Sequence, residues 1–201
     1  MCVLAAAAAL HAQQAPRTPR SSAKPPATRS AQATTGSSTY RNLTFGFAYK
    51  IPFGWVDRTD VMQPDANNPS GGQVLLAVFE RPPEVGGDTV NSAVVLATEK
   101  ASAYPGLKTA ADYFGPLGEV VTAKGFKGVN EPYEFSISTK LLLREDFTQG
   151  EGKAERHQSS LVLLEKGQIV CFTFIGGTAD EVDELVERLS FGPRPSPAGH
   201  K

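Results

Sequence analysis

Of the three histidines in the 201-residue chain, only His157 falls in a segment patterned like a folded element; His11 belongs to the apolar N-terminal run and His200 to a polar, proline-containing tail. Imidazole chemistry in the folded part therefore rests on His157. The segment around it holds the other groups a hydrolase would use. If residues 149–152 form a four-residue loop between antiparallel strands, Arg144 faces His157, Asp146 faces Glu155 and Leu142 faces Ser159, all on one side of the sheet. A serine, a histidine and two carboxylates would then share a surface beside an arginine, the raw material of nucleophilic catalysis. The competing reading is a solvated hairpin end, where polar residues gather without a task. A one-residue slip in register would dissolve the set.

The remaining reactive types point to structure. Cys171 stands between Val170 and Phe172 in the most apolar run of the chain, where a thiol behaves as a small hydrophobe. Its one possible disulfide partner, Cys2, lies in the N-terminal run. Gly176-Gly177 before Thr178 could offer backbone N–H groups to an anion or simply swing a strand into a helix. Asp57, Asp60, Asp65 and Asn67 lack the spacing and the closing glutamate of a calcium loop. No zinc set, P-loop, dinucleotide fingerprint or Gly-x-Ser-x-Gly is present, so neither a metal nor a cofactor is expected.

These residues must be held by elements that the periodicity shows. In 44–51, Phe45, Phe47, Tyr49 and Ile51 alternate with Thr44, Gly46, Ala48 and Lys50, a half-buried strand that ends at Pro52-Phe53-Gly54 and delivers Trp55 to the core. Residues 73–80 and 92–98 are apolar on both faces and read as inner strands. Loops rich in Pro, Gly, Asn and Asp, 64–72 and 82–88, separate them. A helical stripe runs through Leu107, Ala110, Ala111, Phe114, Leu117 and Val121, and Pro116 predicts two short helices meeting at Gly115-Pro116. Strands follow at 133–138, 140–147, 155–165 and 168–175, the last two joined by Lys166-Gly167. Thr178 and Glu181 then form a capping box, Val182, Leu185, Val186 and Leu189 the buried stripe, and Phe191 seals the core. Asp180, Glu181, Asp183, Glu184 and Glu187 make an acidic surface that suits this helix's N-terminal dipole. The fold class is α+β, a mainly antiparallel sheet of about six to seven strands flanked by helices.

The ends of the chain speak of location. Cys2 to Leu10 is one apolar run, too short to span a bilayer, and it stops at a plausible cleavage site after Ala12. Residues 1–12 are read as an export signal, and the missing positive n-region points to a start codon upstream of Met1. Residues 13–39 contain no Val, Ile, Leu, Met, Phe, Tyr or Trp and four of the prolines, so they form a disordered linker. Residues 40–191 are the domain and 192–201 a flexible tail. Lys plus Arg number 20 against 21 Asp plus Glu, too even for a nucleic-acid binder. With the linker's Arg17, Arg20, Lys24 and Arg29 set aside, 16 basic residues face 21 acidic ones from Tyr40 onward. The basic linker could touch anionic surfaces, or serve only as a spacer.

A resemblance joins these readings. The opening Tyr40-Arg-Asn-Leu-Thr-Phe-Gly-Phe-Ala-Tyr-Lys-Ile-Pro-Phe-Gly-Trp55, the hairpin from Leu143-Arg-Glu-Asp-Phe147 to Leu163, and the ending from Phe172 to Phe191 resemble secreted bacterial proteins that are similar to PsbP-like domains and to the Ran-binding nuclear-import factor of the same fold. The resemblance implies an α/β/α sandwich over 40–191 and members that bind proteins rather than catalyse. It carries no catalytic motif onto any residue, and neither a photosynthetic nor a nuclear partner transfers. The expectation is an exported, monomeric or weakly associating, non-enzymatic module that binds an envelope protein. Two alternatives stand beside it: a hydrolase-like enzyme using Ser159, His157 and Asp146, with Arg144 on the same face, and a small-ligand binder with its pocket beneath the 64–72 loop.

Overall fold

The structure, a computed structural model, describes residues 38–65 and 68–192. The expected signal, the linker up to residue 37, Asn67 and the tail beyond Gly192 lie outside the described residues. In chain order the strands are β1 (Thr39–Asn42), β2 (Phe47–Lys50), β3 (Val56–Asp57), β4 (Gln73–Phe79), β5 (Ala93–Lys100), β6 (Lys127–Gly128), β7 (Tyr133–Ile137), β8 (Lys140–Gln149), β9 (Arg156–Glu165), β10 (Gln168–Gly176) and β11 (Leu189–Phe191). Helix α1 (Phe114–Ala123) lies between β5 and β6, and α2 (Ala179–Val186) between β10 and β11.

Alternation and burial agree at the start of the domain. Phe45, Phe47, Tyr49 and Ile51 are all buried, so the stripe visible in the sequence is the inward face. It belongs to a small sheet in the order β1-β2-β11, where Tyr40 pairs with Tyr49 and Leu189 with Tyr49 from the other side. The large sheet runs β3-β4-β5-β10-β9-β8-β6, with β7 also paired to β8, and every pairing is antiparallel. β5 and β10 lie at its centre. Both of their faces are covered, which is why their sequences are apolar throughout instead of alternating.

One core lies under α1, where Phe114, Leu117 and Val121 meet Val95, Val162, Cys171 and Phe147. The other lies between the two sheets and α2, where Val182, Leu185 and Val186 join Phe47, Phe172, Phe174 and Leu161. Helices thus flank the large sheet on both sides, the α/β/α layering the resemblance implies. Phe172 anchors the second core, with its ring centroid 5.0 Å from that of Phe47 and 6.0 Å from that of Phe191. Among the described residues no helix is long and apolar enough to cross a membrane.

Two local expectations are corrected. The helices do not meet at Gly115-Pro116: a 3-10 turn at Ala111–Tyr113 runs directly into α1, and Pro116 sits in the first turn of that helix. N–H groups there have no intrahelical acceptor, so proline costs no bond. The turn after β8 is also longer than four residues. Gly150 adopts φ +84°, a 3-10 turn fills Gly152–Ala154, and β9 starts only at Arg156. By contrast, Lys166-Gly167 closes its hairpin as expected, with φ of 54° and 71° at the two turn residues.

The margins of the large sheet differ. Beyond the two-residue β3, β4 is covered by side chains: Gln63 Nε2 donates to the Val74 carbonyl (2.7 Å), Gln63 Oε1 accepts from Val74 N (3.2 Å), and Thr59 Oγ1 accepts from Ala77 N (2.9 Å). These groups imitate a neighbouring strand. At the other margin, β6 and β7 hydrogen-bond to no further strand among the described residues, although β11 passes close to β7.

Cys171 is 2% exposed within the α1 core. In a Cys2→Ser background, a polar thiol reagent should leave the folded protein unlabelled and modify one thiol after denaturation. Rapid labelling without denaturant would mean that β10 opens far more readily than a central strand should.

Candidate functional site

The β8–β9 hairpin carries the candidate residues in a register different from the one expected. Asp146 pairs with Ser159, Thr148 with His157 and Arg144 with Leu161. The expected pairs Arg144–His157, Asp146–Glu155 and Leu142–Ser159 are therefore off by four residues, because the connecting loop is longer. Four is even, so Arg144, Asp146, His157 and Ser159 still project from one face of the sheet.

Asp146 is the hub of that face. Its carboxylate accepts from Arg144 Nε (2.8 Å), Asn130 Nδ2 (3.0 Å), the Tyr133 hydroxyl (3.1 Å) and the Ser159 hydroxyl. Four donors fill the roughly four lone-pair positions of a carboxylate. Burial alone would push its pKa up, but hydrogen bonds from Ser159, Asn130 and Arg144 outweigh burial and hold the carboxyl below its usual range. Arg144, 8% exposed, also donates from Nη2 to Asp183 Oδ1 of α2 (2.6 Å) and stacks 5.1 Å from the Phe135 ring centroid. Burial disfavours its charge, yet Asp146 and Asp183 more than offset this and raise its pKa. The Tyr133 phenol is held above its ordinary value by burial and by the Asp146 charge.

Ser159 is 1% exposed and points its proton at Asp146. His157 is turned toward Glu155, with Nε2 3.8 Å from Oε1. The structure thus brings Arg144, Asp146 and Ser159 together and leaves the imidazole on a separate contact. Sequence reasoning missed Asn130, Tyr133 and Asp183. Tyr133 was within reach, since a tight turn at Ser138-Thr139 sets it opposite Arg144. Asp183 looked like one more charge on the acidic helix surface, and only the packing of α2 against the sheet singles it out.

The other candidates are taken up by the fold. Glu181 fills the anion position before α2: its Oε2 accepts from Gly177 N (2.8 Å), its Oε1 from the Ser92 hydroxyl, and Thr178 Oγ1 caps Glu181 N (3.1 Å). Asp57 accepts from the amide and hydroxyl of Thr59 (2.8 and 2.6 Å). Among the described residues no three His, Cys, Asp or Glu side chains converge as metal ligands would. The 64–72 loop is fastened to β5, where Ser70 Oγ contacts Glu99 Oε1 (3.2 Å) and Lys100 N donates to the Ser70 carbonyl (3.1 Å). A cleft of ≈390 Å³ has Leu141, Leu143 and Leu164 on its floor and Lys108 and Glu134 on its walls, and a second of ≈150 Å³ lies beside Arg81. Neither is lined by Arg144, Asp146, His157 or Ser159.

On the opposite side of β8, Glu145 has its pKa pushed up to about 7 by burial and by the charges of Glu131 and Asp146. A carboxyl with a raised folded-state pKa binds its proton more tightly when folded, so stability falls as pH rises from about 4.5 to about 7 and stays reduced above that. Glu145→Gln is therefore expected to raise the melting temperature at about pH 8 and leave it nearly unchanged at about pH 4. Equal shifts at both values would show that the gain comes from packing.

No protein-family model and no curated protein matches the chain. Solved structures do. Cyanobacterial PsbP (CyanoP) from Synechocystis sp. PCC 6803 superposes with a TM-score of 0.51 at 13% identity, over 83% of this chain and 98% of that one. PA94 of Pseudomonas aeruginosa, a protein of unknown function, is 15% identical over 80% of this chain and 99% of that one, with a TM-score of 0.41. LpqN, involved in cell envelope biogenesis of Mycobacterium tuberculosis, is 10% identical over 78% and 86%, with a TM-score of 0.39. The fold is PsbP-like, as the sequence resemblance led one to expect.

Proposed function

We propose that the domain is a non-enzymatic protein-binding module that works outside the cytoplasm, in the envelope, carried on the 13–39 linker after residues 1–12 are removed. The observation that carries this reading is the β6/β7/β8 margin of the large sheet, where Val129 and Leu141 remain exposed (59% and 53%). Apolar side chains left in water at a sheet margin suit a partner that covers them. The Asp146 lattice supports the same reading, because its hydrogen bonds are spent on holding β7, the Asn130 segment and α2 against β8. A serine whose proton is directed to a saturated carboxylate is poorly placed to attack a substrate.

The test is a crosslinking pull-down from envelope extracts with wild type and a Val129→Lys/Leu141→Lys variant, beside an ester, peptide and phosphoester hydrolysis screen of wild type and His157→Ala. A partner enriched by wild type and lost with the variant supports the reading. Turnover that disappears in His157→Ala, with no partner enriched, overturns it in favour of the hydrolase. Intact mass of the protein from its native host should show a chain beginning at Gln13. A mature chain that retains residues 1–12 removes the export part of the proposal.

A further inference from the structure

The cleft of ≈150 Å³ opens between the 82–91 segment and the start of β9, and its walls include Arg81, Gly86, Gly87, Asp88 and Arg156. Its lining thus contains two arginines and one acidic residue. Arg81 is fixed in place. Its Nη1 donates to Thr89 Oγ1 (3.3 Å) and Glu80 Oε2 (3.4 Å), its Nη2 to the Thr89 carbonyl, and its main chain exchanges hydrogen bonds with the Asn91 amide (3.0 and 2.9 Å). The turn above it comes close because Gly87 has no side chain: a Cβ there would stand 2.9 Å from Arg81 Nη2.

Arg156 is held differently. Its Nη1 donates to the neutral Gln149 Oε1 (3.1 Å), and the adjacent Glu155 turns to His157 instead. Among the described residues Arg156 forms no ion pair, although burial disfavours its charge. The Nε of both arginines is buried without an acceptor among the described residues. A half-buried cation with a neutral partner, in a cleft whose lining includes a second arginine, leaves an unmet demand for negative oxygen atoms. The volume corresponds to about five waters, room for a tetrahedral oxyanion with part of its hydration.

We propose that this cleft binds a phosphate group, either free inorganic phosphate or the phosphate of a lipid headgroup, between the guanidinium groups of Arg81 and Arg156. Arg81 and the glycine turn supply a rigid wall, and Arg156 supplies the uncompensated charge. Asp88 opposes the ligand and keeps the site weak. The inference is independent of the proposed protein partner, since the cleft shares no residue with the β6/β7/β8 margin.

Inorganic phosphate should be titrated calorimetrically into the full chain, and the chain floated with phosphatidylcholine vesicles with and without phosphatidic acid. Binding of phosphate or of the phosphatidic acid vesicles is expected. Arg156→Gln should weaken it about tenfold, the loss of one charge-assisted contact. Asp88→Asn, a loop substitution that leaves the fold intact, should tighten it. Binding to free phosphate alone identifies a soluble ligand, and binding to vesicles alone a headgroup. Absence of both, or affinities unchanged in Arg156→Gln and Asp88→Asn, overturns the proposal. The unchanged case would assign any binding to the basic linker.

Discussion

Trp55→Ala is expected to destabilise the domain by about 3 to 5 kcal/mol, the cost of truncating a large buried aromatic. Trp55 sits at the crossing between the sheets, since β2 belongs to the small sheet and β3, which begins at Val56, to the large one. At 8% exposure its ring is part of the core that includes Ile51, Leu76, Val78 and Phe174, so removing it opens a void between the two sheets. The neighbouring Phe53 is 75% exposed, and Phe53→Ala should change stability by less than about 0.5 kcal/mol. Urea denaturation followed by circular dichroism makes the comparison. A Trp55→Ala midpoint as high as wild type would move Trp55 from the core to a surface role.

Asp146→Ala should cost about 2 to 3 kcal/mol at neutral pH, the range for leaving partly buried donors without a charged acceptor. It strips Arg144 of one of its two carboxylates and leaves the buried Ser159 hydroxyl, Asn130 and Tyr133 without their shared acceptor. The pH dependence gives a second readout. The folded-state pKa of Asp146 is depressed, so its contribution is present above the unfolded value of about 4 and is lost as pH falls through the folded value. The gap between wild type and variant should therefore narrow in acid. A gap that is constant in pH would show that the lattice stabilises through shape and neutral hydrogen bonds.

How much of this was legible in the sequence depends on what a pattern encodes. Period-two alternation reports the face a residue occupies, and Phe45 to Ile51 proved buried where alternation placed them. It does not report register. The β8–β9 pairing slid by four residues and still kept Arg144, Asp146, His157 and Ser159 on one face, because an even slip leaves every face unchanged. The Thr178 cap and the Lys166-Gly167 turn are local and were readable in full, whereas the stripe of α2 was readable only to Val186: Leu189, expected on the same helix, opens β11 instead. The small sheet was not, because β1 and β11 are four and three residues long and meet β2 only through the tertiary fold. Burial of Glu99 against Tyr104 and Tyr113 was equally invisible, since a lone glutamate at a strand end reads as solvent-exposed.

The side chains of Gln63 and Thr59 along β4 also set the ways in which copies of this protein can adhere. A sheet with two receptive borders polymerises, each added molecule presenting a fresh border to the next. Here one border is occupied by groups from its own chain. Two molecules joined through their β7 borders would leave only occupied β4 borders facing outward, and growth would stop at a pair.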